Sequence, residues 1–311
     1  MPHELEVMLR YRRPAYGKTE RAFSERWIEP TGAYQDYFGN WLFHVGSNPD
    51  VLWSSHTDTV HRTEGIQRVI RTGDILSLGD KSKRTSNCLG ADCGAGVWLM
   101  LEMIRAEVPG LYVFHAGEEI GGKGSSAIVK NSPGLLDGIK YAIAFDRHGT
   151  NSIVTHQIGG RCCSDEFGQS LAKMLGMGHC LDQDGVFTDT ALYTDLIPEC
   201  TNISVGYRGH HTVNETVDLH YLQQLRDALL SRFDASQLEV HRDPAVIEFE
   251  DYRTYYSPPD DPTIEPGLKE LAAVIRDYPE AAAKLLHDYG CDIYDVFDAI
   301  EKPCDNYSRY C

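Results

Sequence analysis

The sequence has little positive charge, no long apolar run and no paired cysteine motif. Its 29 Lys and Arg stand against 46 Asp and Glu, a formal net charge of −17. That balance excludes nucleic acid and anionic membrane as natural partners, because both demand a basic face. No stretch approaches the roughly 18 consecutive apolar residues of a membrane span. The start, Met1-Pro-His-Glu-Leu-Glu, lacks the basic and apolar regions of a signal peptide. The nine cysteines are odd in number, scattered and without CxxC spacing, which argues against a disulfide framework or a zinc knuckle. A reducing cytoplasm is the expected home. No internal repeat or low-complexity run is present.

What the sequence does have is a series of apolar runs, each ending in a polar residue able to bind metal. The central one is Leu111-Tyr-Val-Phe-His-Ala-Gly-Glu118-Glu119, followed by glycines to Gly124. It reads as a buried strand leaving through a tight turn, with two adjacent carboxylates at its end, where open α/β sheets place ligands. Adjacent acids repel unless a cation or a proton separates their roles. One can ligate a metal while the other takes a proton from a water.

Other runs repeat the arrangement. Val51-Leu-Trp-Ser-Ser55 delivers His56-Thr-Asp58, and HxD on extended chain puts both side chains on one face. Asp58 is thereby placed to accept a hydrogen bond from the far ring nitrogen of His56. Small residues surround Asp92 where an apolar helix starts near Gly94, and Tyr141-Ala-Ile-Ala-Phe145 ends in Asp146. Asn202–Gly206 reads as a strand ahead of Gly209-His210-His211-Thr212. Helices are expected across residues 4–29 with a break near Pro14 and Gly17, and over 123–130, 164–175 and 218–233; residues 65–70 and 73–78 read as a hairpin. Strands alternating with helices put the strand ends on one edge of a mostly parallel sheet. Imidazole and carboxylate without cysteine suit zinc, cobalt or manganese in a hydrolytic site, and the count fits two metals sharing a bridging carboxylate.

The ordered set His-x-Asp, Gly-Ala-Asp, Glu-Glu-x-Gly, Asp, His-Thr resembles the zinc exopeptidases of peptidase clan MH over about residues 1–235. These include di-zinc aminopeptidases, carboxypeptidases, di- and tripeptidases and N-acyl amino acid deacylases. The resemblance implies an α/β three-layer sandwich, with a central mostly parallel mixed sheet flanked by helices. It implies two Zn2+, with Co2+ or Mn2+ as alternatives: His56, Asp92 and Asp146 on one ion, and Asp92, Glu119 and His211 on the other. Glu118 would be the general base and Asp58 would orient His56. It also implies a cis peptide at Asp92–Cys93, where Cys93 replaces the second acid common in the family. The short span from Asp146 to His211 leaves no room for the inserted lid of the deacylase branch, so the lidless aminopeptidase branch is the nearer match.

The expected substrate is a short peptide or, alternatively, an N-acyl amino acid. Arg147, Arg161 and Arg208 are the cations available to a substrate carboxylate, Arg161 foremost; His210 and Tyr207 are further candidates to line the cleft. A carboxypeptidase or deacylase is the alternative enzyme, and a metal-binding scaffold without catalysis the alternative outside enzymes. The expected domains are a catalytic unit over 1–242 and, over 243–311, an acidic Pro-rich linker with a small C-terminal helical extension between Pro266 and Lys302. The sequence leaves the oligomeric state open.

Overall fold

The structure, a computed structural model, describes residues 2–246 except Asn48 and Gly159, together with Ile275, Pro279, Ala282, Ala283 and Leu286 in helical conformation. The chain divides into two units, residues 1–248 and 249–311. Apart from those five positions, the expected C-terminal helices lie outside the described residues, as does most of the acidic linker.

Helix α1 (Pro2–Met8), strand β1 (Tyr11–Arg12) and helix α2 (Lys18–Trp27) fill the stretch expected to be a broken helix. Strands β2 (Tyr34–Gln35) and β3 (Trp41–Val45) form a hairpin ahead of β4 (Val51–His56). The hairpin expected over 65–78 is β6 (Val69–Thr72) with β7 (Ile75–Leu78), whereas β5 (Gly65–Ile66) pairs back onto β1. Then α3 (Ala91–Arg105), β8 (Gly110–His115), α4 (Lys123–Asn131) and β9 (Tyr141–Arg147) alternate. Next come β10 (Ser152–Val154), the ladder of β11 (His156–Gln157) with β12 (Gly160–Arg161), α5 (Asp165–Leu175) and β13 (Cys180–Asp182). A 3-10 turn, Asp189–Tyr193, leads to β14 (Glu199–Ser204), β15 (Tyr207–Arg208), β16 (Thr216–Asp218) and α6 (Leu219–Arg232).

Eight strands form the central sheet in the order β13-β10-β14-β9-β4-β8-β3-β2. Its middle four, β14 to β8, run parallel, so their C-terminal ends share one edge. Residues alternate across the sheet as strand geometry requires. Trp53, Tyr112, Phe114, Ile143 and Phe145 pack with α1, α3, α5 and α6. Leu52, Leu111, Val113 and Ala142 face the opposite way, onto Ile128 of α4 and Tyr193 of the 3-10 turn. Helices on both faces of a mixed sheet make the expected three-layer sandwich. The elements between Asp146 and His211 belong to this core, with no inserted lid among the described residues. No described helix is long and apolar enough to cross a membrane.

One part of the fold departs from the sequence reading. After β14 the chain leaves the main sheet for a second one, ordered β15-β16-β7-β6. His211 therefore arrives on the β15–β16 hairpin and not on the end of a main-sheet strand.

Candidate active site

The candidate ligands come from five segments and meet at the C-terminal edge of the parallel strands. His56 ends β4, Asp146 is near the end of β9, and Glu118 and Glu119 follow β8 through a glycine turn. Asp92 sits where the chain enters α3; it and Cys93 have non-helical backbone angles, and the peptide between them is cis. His211 holds a left-handed backbone, φ 60°, in a turn closed by the Thr212 hydroxyl donating to the Gly209 carbonyl at 2.7 Å.

Asp92 lies between the two imidazoles. Its Oδ1 is 3.2 Å from His56 Nε2 and its Oδ2 is 3.3 Å from His211 Nε2. His56 Nε2 also faces Asp146 at 3.3 Å and Glu118 at 3.9 Å, while His211 Nε2 faces Glu119 at 3.2 Å. The side chains of all four carboxylates are only 7 to 10% exposed, and each feels the others. Burial pushes the Glu118 carboxyl well above its usual range against the pull of His56, and the charges of Asp146 and Glu119 add to the rise. Burial and the Asp92 charge raise Glu119 to about 7 and Asp146 to about 6. Asp92 alone is driven well down, since hydrogen bonds from His211 and His56 outweigh its burial.

These residues fit divalent cations. Four carboxylates around two imidazoles carry more negative charge than two protonated rings can balance. Glu119 Oε1 is buried without a hydrogen-bond partner, a costly state for a carboxylate oxygen unless a cation meets it. The trio Asp92, Glu119 and His211 places one donor atom of each within 4.8 Å of the others, as does the trio His56, Glu118 and Glu119. Oxygen and imidazole donors match zinc, cobalt or manganese. Cys93 Sγ also lies within that distance of His56 and Asp146, but the thiol donates to the Phe145 carbonyl at 2.9 Å and burial drives its pKa well up.

The surroundings correct three expectations. The Asp58 carboxylate does not hydrogen-bond the His56 ring. It stands 3.6 Å from Nδ1, whose nearer partner is the Asp58 main-chain oxygen at 3.2 Å. Both Asp58 oxygens instead accept backbone N–H groups, of Glu118 and of Glu119, at 3.1 Å each, because the glycine turn presents those amides directly to it. Tyr207 is 2% exposed and its hydroxyl donates to the Asp146 carbonyl at 3.0 Å, so it supports a candidate ligand from below and does not line a cleft. Arg161 and Arg147 are engaged by Asp165 and Asp182, each at 2.8 Å. His210 stacks on His148, ring centroids 5.4 Å apart, and meets His211 edge-on.

Two supporting residues were invisible in the sequence. Arg13, 0% exposed, donates from Nε to the Thr57 carbonyl at 2.8 Å and from Nη2 to the Gly90 carbonyl at 3.0 Å. Glu215, equally buried, accepts the backbone N–H groups of Leu89, Gly90, Ala91 and Asp92. Their contacts span tens to over a hundred residues of chain, beyond any local motif.

No known family profile matches the sequence, and no curated protein does. Solved structures do match. A tripeptidase from Staphylococcus aureus superimposes with TM-score 0.59 and 15% identity, covering 73% of this chain and 95% of that one. The aminopeptidase PepT from Bacillus cereus gives 0.57 and 14%, again over 73% and 95%. The TET1 peptidase of Pyrococcus horikoshii gives 0.54 and 15%, over 75% and 100%. The chain has the fold of these peptidases. At such identities the likeness is one of fold, and it agrees with the clan MH resemblance carried by the motifs.

Proposed function

We propose that the chain is a metal-dependent exopeptidase of short peptides, an aminopeptidase or di/tripeptidase, acting with two divalent ions, zinc foremost. The observation that carries this reading is Asp92, whose two oxygens each face a different imidazole, with Asp146 and Glu119 completing the two sides. His56, Asp92 and Asp146 would hold one ion, and Asp92, Glu119 and His211 the other. When bound, such ions polarise a scissile carbonyl and bring the pKa of a water toward neutrality.

The protein's own part is to hold and move a proton. Glu118 Oε2 lies 3.9 Å from His56 Nε2, and Glu118 is the carboxylate left over once His56, Asp92, Asp146, Glu119 and His211 are assigned to the two ions. It would accept the proton of the attacking water and return it to the leaving amine nitrogen. Asp58 fixes the Glu118–Glu119 peptide through its two backbone N–H groups, so the adjacent acids are splayed toward different tasks. Two of the three arginines offered to a substrate carboxylate, Arg147 and Arg161, are paired with aspartates, which favours an enzyme that reads the amino end of its substrate over one that grips a carboxylate. The names of the structural relatives, aminopeptidase and tripeptidase, point the same way, and a cytoplasmic home suits such a role.

Glu118→Gln tests the assignment. It keeps the shape but removes the base, so turnover of a cleavable peptide should fall about 10²- to 10⁴-fold while metal content stays at the wild-type value. Wild-type turnover in the variant would remove Glu118 from the chemistry.

A further inference from the structure

The segment that presents Asp92 packs Leu89 and Ala91 into the core but has no polar side chain of its own, Asp92 aside, to fix its backbone. Cys88-Leu-Gly-Ala-Asp92 is built of small and apolar residues, and Gly90 takes a left-handed turn, φ 78°. That turn aims four consecutive amides, those of Leu89, Gly90, Ala91 and Asp92, at one point. The Glu215 carboxylate sits at this point. Its Oε2 accepts from Leu89 and Gly90 at 2.7 and 2.8 Å, and its Oε1 from Ala91 and Asp92 at 2.8 and 3.0 Å. A carboxylate saturated by amides is a strong, short-range tie.

Glu215 belongs to the same loop as His211. Its own N–H donates to the Thr212 carbonyl at 3.1 Å, closing the turn next to the imidazole. One side chain thus binds the segment carrying Asp92 to the loop carrying His211, and those two residues face each other at 3.3 Å. The strand end that carries His56 is tied to the Asp92 segment separately, through Arg13 bridging the Thr57 and Gly90 carbonyls. We infer that Glu215 is the positioning residue for the ion held by Asp92, Glu119 and His211, setting the separation of Asp92 and His211 and thereby that ion's affinity. This rests on the two-ion reading above.

The chemistry of the replacement makes the test selective. In Glu215→Gln one oxygen becomes an NH2 group and confronts two amide donors, while charge leaves the tie. Co2+ titration, followed by isothermal calorimetry and by the visible absorption of the bound ion, reads both positions without using activity. Wild type should bind two ions. Glu215→Gln should bind one with little change and the second 10- to 100-fold more weakly, the range seen when supporting hydrogen bonds to ligands are lost. Its spectrum should lose the contribution of the weaker ion, and Glu215→Asp should recover part of it. Equal affinities for both ions in wild type and Glu215→Gln, whatever the change in melting temperature, would overturn the inference and leave the function standing. Wild type that takes up no ion would overturn both. If neither variant folds, amide hydrogen exchange on wild type decides: loading with Co2+ should slow exchange at Gly90, Ala91 and Asp92, and unchanged rates there would refute the coupling.

Discussion

Replacing Arg13 by methionine tests how the site is held together from inside. Arg13 is 0% exposed, and burial works against its charge. Its guanidinium lies over the Phe23 ring, 4.3 Å from the centroid, and its Nη1 finds no partner. What keeps it there is two carbonyls, those of Thr57 and Gly90. Methionine retains most of the packing stem but leaves the Thr57 carbonyl buried without a donor, while the Gly90 carbonyl keeps only the Gly94 N–H at 3.2 Å. The orphaned carbonyl costs about 1 to 3 kcal/mol and the lost charged hydrogen bond to Gly90 about 1.5 to 3 kcal/mol, and loss of the cation–π contact adds about 1 kcal/mol. Relief from burying a cation offsets part of that sum, so a net loss of about 2 to 4 kcal/mol is expected. Urea unfolding followed by tryptophan fluorescence measures it through a lower midpoint at constant slope. A loss under about 0.5 kcal/mol would mean that water or rearranged donors satisfy the two carbonyls. The bridge between the His56 and Asp92 segments would then carry no weight.

Two further outcomes follow from close packing and from buried titrating groups. A Cβ on Gly96 would run into the Phe145 carbonyl and come within 2.7 Å of Cys93 Sγ and 2.8 Å of Ser55 Oγ. Gly96→Ala should therefore cost at least about 2 kcal/mol and weaken metal uptake by moving α3 off β4 and β9; a variant as stable and as metal-loaded as wild type would contradict this. His179, hydrogen-bonded to the Tyr221 hydroxyl at 2.8 Å, is lowered by burial to about 4. Its folded pKa lies below the unfolded value of about 6.5, so on acidification the unfolded chain takes up a proton that the folded chain refuses. Stability from this group is full above pH 6.5 and is lost as the pH falls toward 4. His179→Gln should flatten the fall in unfolding free energy between pH 6 and 5 by about 1 kcal/mol per pH unit. An unchanged slope would show that His179 titrates normally.

The parts of the site readable in the sequence are those that local patterning dictates. Apolar runs ending in His56, Glu118 and Asp146 mark parallel strands, and parallel strands place their ends together. The small residues around Asp92 mark the entry to α3. His211 was legible only by its His-Thr pair, because the hairpin that carries it belongs to a second sheet whose strands β15 and β16 are two and three residues long. The supporting contacts were not legible. Asp58 turns to two amides that only the folded glycine turn presents, and the HxD spacing implies nothing of that. Arg161 and Arg147 meet aspartates 4 and 35 residues further along the chain, which engages two of the three cations that the sequence offered to a substrate carboxylate and leaves Arg208, exposed on β15. Glu215 lies four residues beyond His211, yet its partners are 123 to 126 residues away. Such ties depend on tertiary geometry and leave no period or motif behind.

The most direct test of the account is elemental analysis of the metal-replete protein together with hydrolysis of short peptides blocked at one end or the other. Two divalent ions per chain are expected, with cleavage that is lost when the amino end is blocked but survives blocking of the carboxyl end. Two ions with cleavage that requires a free carboxylate would contradict the reading of the amino end. A replete protein with no bound ion and no turnover would contradict the central claim itself.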